Sequence, residues 1–189
     1  QKIWSERKIM ATGDILGEEA KSLDDAEKYF SGCLEMINSL KGETKKYFNE
    51  KNFQRPFSIS VKPSSICFVT SMNPLIFHSE TPFFERLEKI VEMSEKENIP
   101  VTVDMEDHNF TDVTLETASR IWEYGHKNFG IVLQSRLNRT EEDVKKLISE
   151  NKNICPIYKR VRVCIGIYLE PNSIANNNKT ETKRRLVKR

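Results

Sequence analysis

Val101-Thr102-Val103-Asp104 and Gly130-Ile131-Val132-Leu133-Gln134 follow one pattern: a short apolar run closed by a polar residue, after which a helical period begins. Ser58-Ile59-Ser60-Val61 closed by Lys62 repeats it, and so does Val161-Arg162-Val163-Cys164-Ile165, which ends near Gly166 and Tyr168. Runs this short, bounded by turn signals, read as buried strands of a parallel sheet. Polar residues at the carboxyl ends of such strands are where βα-barrel and doubly wound enzymes carry their chemistry. The same residues therefore speak to fold class and to site.

Outward from these runs, strand and helix alternate. A first strand is expected over Lys8–Ile15. Ser22, with Asp25 three residues on, marks the start of a helix over Leu23–Leu40, whose inward positions include Ala26, Tyr29, Phe30, Cys33 and Ile37. Phe57–Val61 is the second strand, and Pro63–Phe77 reads as a long irregular loop. A helix from Thr81 or Pro82 to Lys96 precedes the strand Val101–Asp104. A helix over Thr111–His126 precedes Phe129–Leu133. The acidic start Thr140-Glu-Glu-Asp143 opens another helix, before a fifth strand over Lys159–Ile167.

Lys62, Asp104, Gln134 and Arg162 are spaced by 42, 30 and 28 residues, and the two shorter intervals suit single βα units. A whole eightfold barrel takes ~250 residues. The expected fold is thus α/β, an incomplete (βα)8 TIM-type barrel of five units with parallel strands, the chain forming a single domain that stops after the fifth strand. An open five-stranded flavodoxin-type sheet is the alternative. It wants a Gly-rich phosphate loop after a strand, and no such motif is present.

The chain has 189 residues and a net charge of +2, from 30 basic and 28 acidic residues. That balance argues against a general nucleic-acid binder. The basic stretch Lys179–Arg189 reads as the solvated face of a helix that starts near residue 175 and is cut at the end. The first residue is Gln1, not Met, so both ends read as cut. Cys33, Cys67, Cys155 and Cys164 are widely spaced, with no zinc or disulfide pattern, so a reducing, cytoplasmic setting is expected. No apolar stretch approaches the ~20 residues of a membrane span.

Lys62, at a strand end before a proline, can meet a carboxylate as a point charge or, desolvated, form a Schiff base. Asp104 is followed by Glu106 and Asp107; holding it in a site calls for a cation such as Lys62 or Arg162. Asp107 reads as a loop or helix-cap residue and His108 as a loop residue. A metal site of Asp104, Glu106 and His108 lacks the second histidine of a familiar set. Gln134 closes an apolar strand, and its buried amide needs partners such as the edge of a flavin ring. Arg162, between Val161 and Val163, reads as a buried arginine in need of a partner, with Arg160 as a rim residue.

Five motifs in chain order resemble the FAD-dependent proline dehydrogenases. Thr12-Gly-Asp-Ile-Leu-Gly-Glu18 is similar to their first strand and Val61-Lys62 to their second-strand lysine. Val101-Thr-Val-Asp-Met-Glu-Asp107 resembles the third-strand motif, and Gly130-Ile-Val-Leu-Gln-Ser135 with Arg139-Thr-Glu141 resembles the fourth. Arg162-Val-Cys-Ile-Gly-Ile-Tyr-Leu-Glu-Pro171 resembles R-L-V-K-G-A-Y-x-E-P, with Ile165 standing where the family has lysine. The resemblance implies a distorted barrel holding FAD at its mouth, oxidation of L-proline to 1-pyrroline-5-carboxylate, and transfer of electrons to a quinone, with peripheral membrane contact. It implies a catalytic role for Asp104 and Arg162 and substrate binding by Lys62. Met105, Gln134, Ile165, Gly166 and Ile167 would bind the cofactor. The competing expectations are a Schiff-base aldolase-type barrel using Lys62 and a non-catalytic split-gene fragment. On this reading the chain by itself holds FAD poorly and is inactive, because the later strands are absent.

Overall fold

A computed structural model describes residues 10–17, 19–43, 56–68, 82–149 and 160–176. Strand β1 (Ala11–Asp14) leads to helix α1 (Leu23–Leu40), then β2 (Phe57–Val61) and a single-turn helix α2 (Pro63–Ile66). Helix α3 (Pro82–Lys96), β3 (Val101–Val103), α4 (His108–Glu123), β4 (Phe129–Gln134), α5 (Thr140–Ser149) and β5 (Arg160–Cys164) complete the order. The strands form one sheet in the order β1-β2-β3-β4-β5, with every neighbouring pair parallel. Among the described residues β1 and β5 do not pair with each other, so the barrel is not closed.

Local chemistry sets the helix ends. Ser22 caps α1, its hydroxyl accepting from the Asp25 N–H at 3.1 Å, while the Asp25 carboxylate accepts from the N–H of Lys21 at 3.2 Å. Helix α4 begins at His108, three residues before the expected Thr111. Asp107 is its N-cap and accepts from the N–H of Asn109 at 2.9 Å, so the helix starts directly behind it. The expected loop after β2 opens instead as α2. Pro63 sits in the first turn of that helix, where its missing N–H costs nothing.

Strand β4 is buried along its whole length, Val132 included, as its run suggested, whereas β2, β3 and β5 carry polar residues at alternate positions. Phe57, Ile59, Val61, Val101, Val103, Phe129, Ile131 and Leu133 are buried on one face, packed with Phe30, Cys33, Ile37, Phe83, Leu87, Ile90 and Ile121 from the helices. Each large apolar side chain so buried contributes about 1.5–3 kcal/mol. The alternate positions form the inner face and, apart from Val132, are small or polar, among them Thr12, Ser58, Ser60, Thr102, Gly130 and Arg160. Thr12 and Ser58 hydroxyls bond at 2.8 Å. Arg160 donates to Thr102 Oγ1 at 2.8 Å and to the Val101 carbonyl at 2.9 Å. Gly130 makes room for that strand, since a Cβ there would lie 2.5 Å from the Arg160 carbonyl oxygen.

The expected helix over 175–189 falls almost wholly outside the described residues. Ala175 itself forms an antiparallel bridge with Leu137. No described helix is long and apolar enough to cross a membrane.

Candidate functional site

The strand register brings the charged residues together. Ser60 lies beside Thr102, Thr102 beside Gly130, and Gly130 beside Arg160. One step of two residues further along, Lys62, Asp104, Val132 and Arg162 occupy the next level of the same inner face, at the carboxyl side of the sheet. Arg162 donates to Asp104 Oδ1 at 2.5 Å across the intervening strand β4. The expectation that a nearby cation balances Asp104 holds, and the cation is Arg162.

Lys62 has a different partner. Its Nζ lies 2.9 and 3.2 Å from the two carboxylate oxygens of Asp14, the last residue of β1. Sequence reasoning passed over Asp14 as a site residue, although it ends its strand on the same pattern as Lys62. The Lys62 N–H donates to Tyr29 Oη at 3.1 Å, which ties the strand end to α1. Burial pushes the Tyr29 phenol well above the usual tyrosine range, so it stays protonated.

Arg162 is not buried: its side chain is 58% exposed, against 23% for Asp104. It lies on β5, the last strand of the described sheet, so one flank is uncovered. Arg160, expected at the rim, lies lower on the inner face against Thr102.

Behind these charges is a buried polar frame. Glu106 accepts from both the N–H and the hydroxyl of Ser64, each at 2.6 Å, fastening the loop after β3 to α2. Burial raises its pKa, although the two Ser64 donors oppose the shift. The Glu106 carbonyl accepts from the Gln134 amide, and the Gln134 carbonyl accepts from Thr140 Oγ1 at 2.5 Å. Met105, next to Glu106 in the chain, is buried in the core cluster. Gly166 has φ +98°, and a Cβ on it would lie 2.2 Å from Gln134 Oε1. Only glycine lets the chain after β5 turn so closely over that amide. Ile165 and Ile167 on either side are exposed.

His108 is no loose loop residue. Its Nδ1 meets Glu170 Oε2 at 2.5 Å and its N–H donates to Glu170 Oε1 at 3.0 Å, pinning the start of α4 to the loop after β5. The three side chains of the metal alternative thus turn to three different partners: Asp104 to Arg162, Glu106 to Ser64, and His108 to Glu170. Glu18 of the first motif lies outside the described residues.

Parallel βα units with paired charges at the carboxyl ends of their strands define the wall of a βα-barrel enzyme. The proline dehydrogenase family model matches residues 2–182, and the chain belongs to that family. It is 26% identical over 174 residues to Proline dehydrogenase 1 of Bacillus subtilis subsp. natto, covering 92% of this chain and 49% of that protein. It is 38% identical over 91 residues to Proline dehydrogenase of Deinococcus radiodurans, covering 46% of this chain and 27% of the relative. Among solved structures, proline utilization A from Bdellovibrio bacteriovorus, inactivated by N-propargylglycine, superposes with a TM-score of 0.83 at 22% identity. That match covers 97% of this chain and 21% of the larger one. The chain spans about half the length of the Bacillus relatives it matches. The family is generally flavin-dependent.

Proposed function

We propose that this chain forms one wall of the active site of a flavin-dependent proline dehydrogenase, which oxidises L-proline to 1-pyrroline-5-carboxylate and passes the electrons to a quinone. The observation that carries the proposal is the single level of the inner face on which Lys62, Asp104 and Arg162 stand, with Arg162 held on Asp104 at 2.5 Å. Lys62 would meet the substrate carboxylate as a point charge. Arg162, oriented by Asp104, would supply fixed positive charge beside the reacting ring. Preorganised charge of this kind stabilises charge that builds during reaction.

The residues fit a flavin. Gln134 presents a buried amide at a strand end, the Ser135 hydroxyl is buried without a partner among the described residues, and Gly166 allows close approach of the chain. Gln134, the Met105 backbone and the Ile165-Gly166-Ile167 turn would hold the cofactor, and the Ile165 side chain brings no charge to it. Bound there, FAD would supply the hydride acceptor. The aldolase alternative is not favoured, because a Schiff-base lysine reacts as a free amine and Lys62 is ion-paired with Asp14. Residues 1–189 are read as one barrel domain, placed in the cytoplasm with peripheral contact to the membrane that holds the quinone.

The test is the flavin absorbance of the full-length protein and its proline-dependent reduction of a dye. Bound flavin and turnover are expected, with a fall of about 10²–10³ in kcat for Arg162→Met, the loss typical when one preorganised donor is removed. A full-length protein with neither flavin nor turnover would overturn the proposal.

A further inference from the structure

We propose that Arg160 is a positioning residue for Arg162: it fills the space over Gly130, holds the acceptors beneath, and so leaves Asp104 as the place where the Arg162 guanidinium comes to rest. The effect on the reaction rests on the function proposed above; the effect on Arg162 itself does not.

Arg160 and Arg162 leave β5 on one face, two residues and so about 6.6 Å apart. Both reach over β4 to β3. Arg160 crosses Gly130 and donates from one terminal nitrogen to the Val101 carbonyl at 2.9 Å and to Thr102 Oγ1 at 2.8 Å. Arg162 crosses Val132 and donates to Asp104 Oδ1 at 2.5 Å. The lower crossing depends on the glycine, because a Cβ on Gly130 would lie 2.9 Å from Arg160 Cβ and 3.0 Å from its Nε. Arg160 therefore lies close against β4 at the level of Thr102 and Gly130, directly below the level of Arg162.

Arg162 depends on this support because its own surroundings restrain it little. Its side chain is 58% exposed, on the last strand of the described sheet. A long exposed side chain has many rotamers, and an exposed ion pair alone holds one of them weakly. The neighbouring acids are turned elsewhere: Asp14 to Lys62, Glu106 to Ser64, Asp107 to the Asn109 N–H and Glu170 to His108. The acceptors that compete with Asp104 for Arg162 are then the neutral pair one level below, the Thr102 hydroxyl and the Val101 carbonyl. Arg160 occupies both. Its positive charge also opposes the descent of a second guanidinium to that level. With the lower level filled, Arg162 stays on Asp104, where the proposed reaction uses its charge.

The experiment uses the full-length protein at fixed pH. Arg162 is modified with phenylglyoxal and its initial labelling rate read by peptide mass spectrometry. Arg160→Met, which keeps the length but neither the charge nor the donors, is expected to speed labelling of Arg162 about two- to fivefold, the range for losing an exposed ion pair. In proline-dependent dye reduction the same variant is expected to lower kcat by a similar factor with KM for L-proline unchanged, since the charge it displaces acts in the transition state. Combined with Arg162→Met it is expected to lower kcat no further, because residues that act through one group are not additive. Arg160→Lys, which keeps the charge and a donor, is expected to recover most of the protection of Arg162. Equal labelling of Arg162 in Arg160→Met and wild type would overturn the proposal. A further loss of kcat in the double variant would mean that Arg160 supports the sheet at large, and would overturn its action through Arg162. If Arg160→Met does not fold, Thr102→Val, which removes only an acceptor hydroxyl, decides in its place: faster labelling of Arg162 supports the proposal and unchanged labelling overturns it. A full-length protein without flavin or turnover removes the proposed function, while faster labelling in Arg160→Met still supports the positioning of Arg162.

Discussion

Replacing Gly166 by alanine perturbs fold and site through one atom. Its φ of +98° is a backbone conformation that side chains rarely adopt, and the strain on alanine is about 1–2 kcal/mol. The new Cβ would also meet Gln134 Oε1 at 2.2 Å and the Gln134 Cδ at 3.1 Å. Gln134 is 2% exposed, and its amide donates to the Glu106 carbonyl, so it cannot turn aside without giving up a buried hydrogen bond. Leaving such a group unsatisfied costs about 1–3 kcal/mol. The two effects together come to about 2–5 kcal/mol, a large part of the ~5–15 kcal/mol that holds a domain folded. Gly42 is the control: its φ is +83°, but nothing among the described residues lies within 4 Å of its added Cβ. Gly42→Ala therefore carries the backbone strain alone. Urea unfolding of both variants isolates the collision with Gln134, expected at about 1–3 kcal/mol. Flavin content should fall in Gly166→Ala and stay level in Gly42→Ala. If the two variants unfold within ~0.5 kcal/mol of each other, the ordinary scatter of neutral substitutions, the close approach of Gly166 to Gln134 is refuted.

Glu106 has its folded-state pKa raised by burial above the ordinary carboxylate value. Its contribution to stability is therefore complete below the unfolded-state pKa and declines as pH rises through the raised value. In urea titrations at stepped pH from 4 upward, Glu106→Gln should flatten that part of the stability profile, and an unchanged slope would count against the buried carboxyl as its source. Ser22→Ala removes the hydroxyl that accepts from the Asp25 N–H, and a loss of about 1 kcal/mol is expected on thermal or urea unfolding. No loss at all would mean that the Asp25 carboxylate secures the start of α1 without it.

Much of the architecture was legible because its signals are local. The apolar period of α1, the Ser22–Asp25 start and the limits of β2 depend on residues within a few positions of one another, and the structure reproduces each. Asp107 carried the start of α4 in its own side chain, but the helix opens on His108 and Asn109, and the reading from periodicity placed its start three residues late. The two-faced character of the sheet was harder to see. Ser58 and Ser60 alternate with Phe57, Ile59 and Val61, and three- to six-residue strands leave little room for an alternation to declare itself.

The sequence by itself determined the alternating elements, the parallel class of the sheet, the family, and the residues that end its strands. Only the tertiary structure decided how those residues are shared out. Lys62 and Asp14 are 48 positions apart, and Arg162 and Asp104 are 58 apart. No periodicity reaches over such distances. Strand register sets the pairings, placing Lys62, Asp104 and Arg162 on one level while β1 brings Asp14 to the end of Lys62. The exposure of Arg162 has the same origin: its neighbours in sequence are apolar, but its place on the last described strand leaves one side open. Which cation balances which carboxylate is a property of the assembled sheet, because charges pair with what lies near in space.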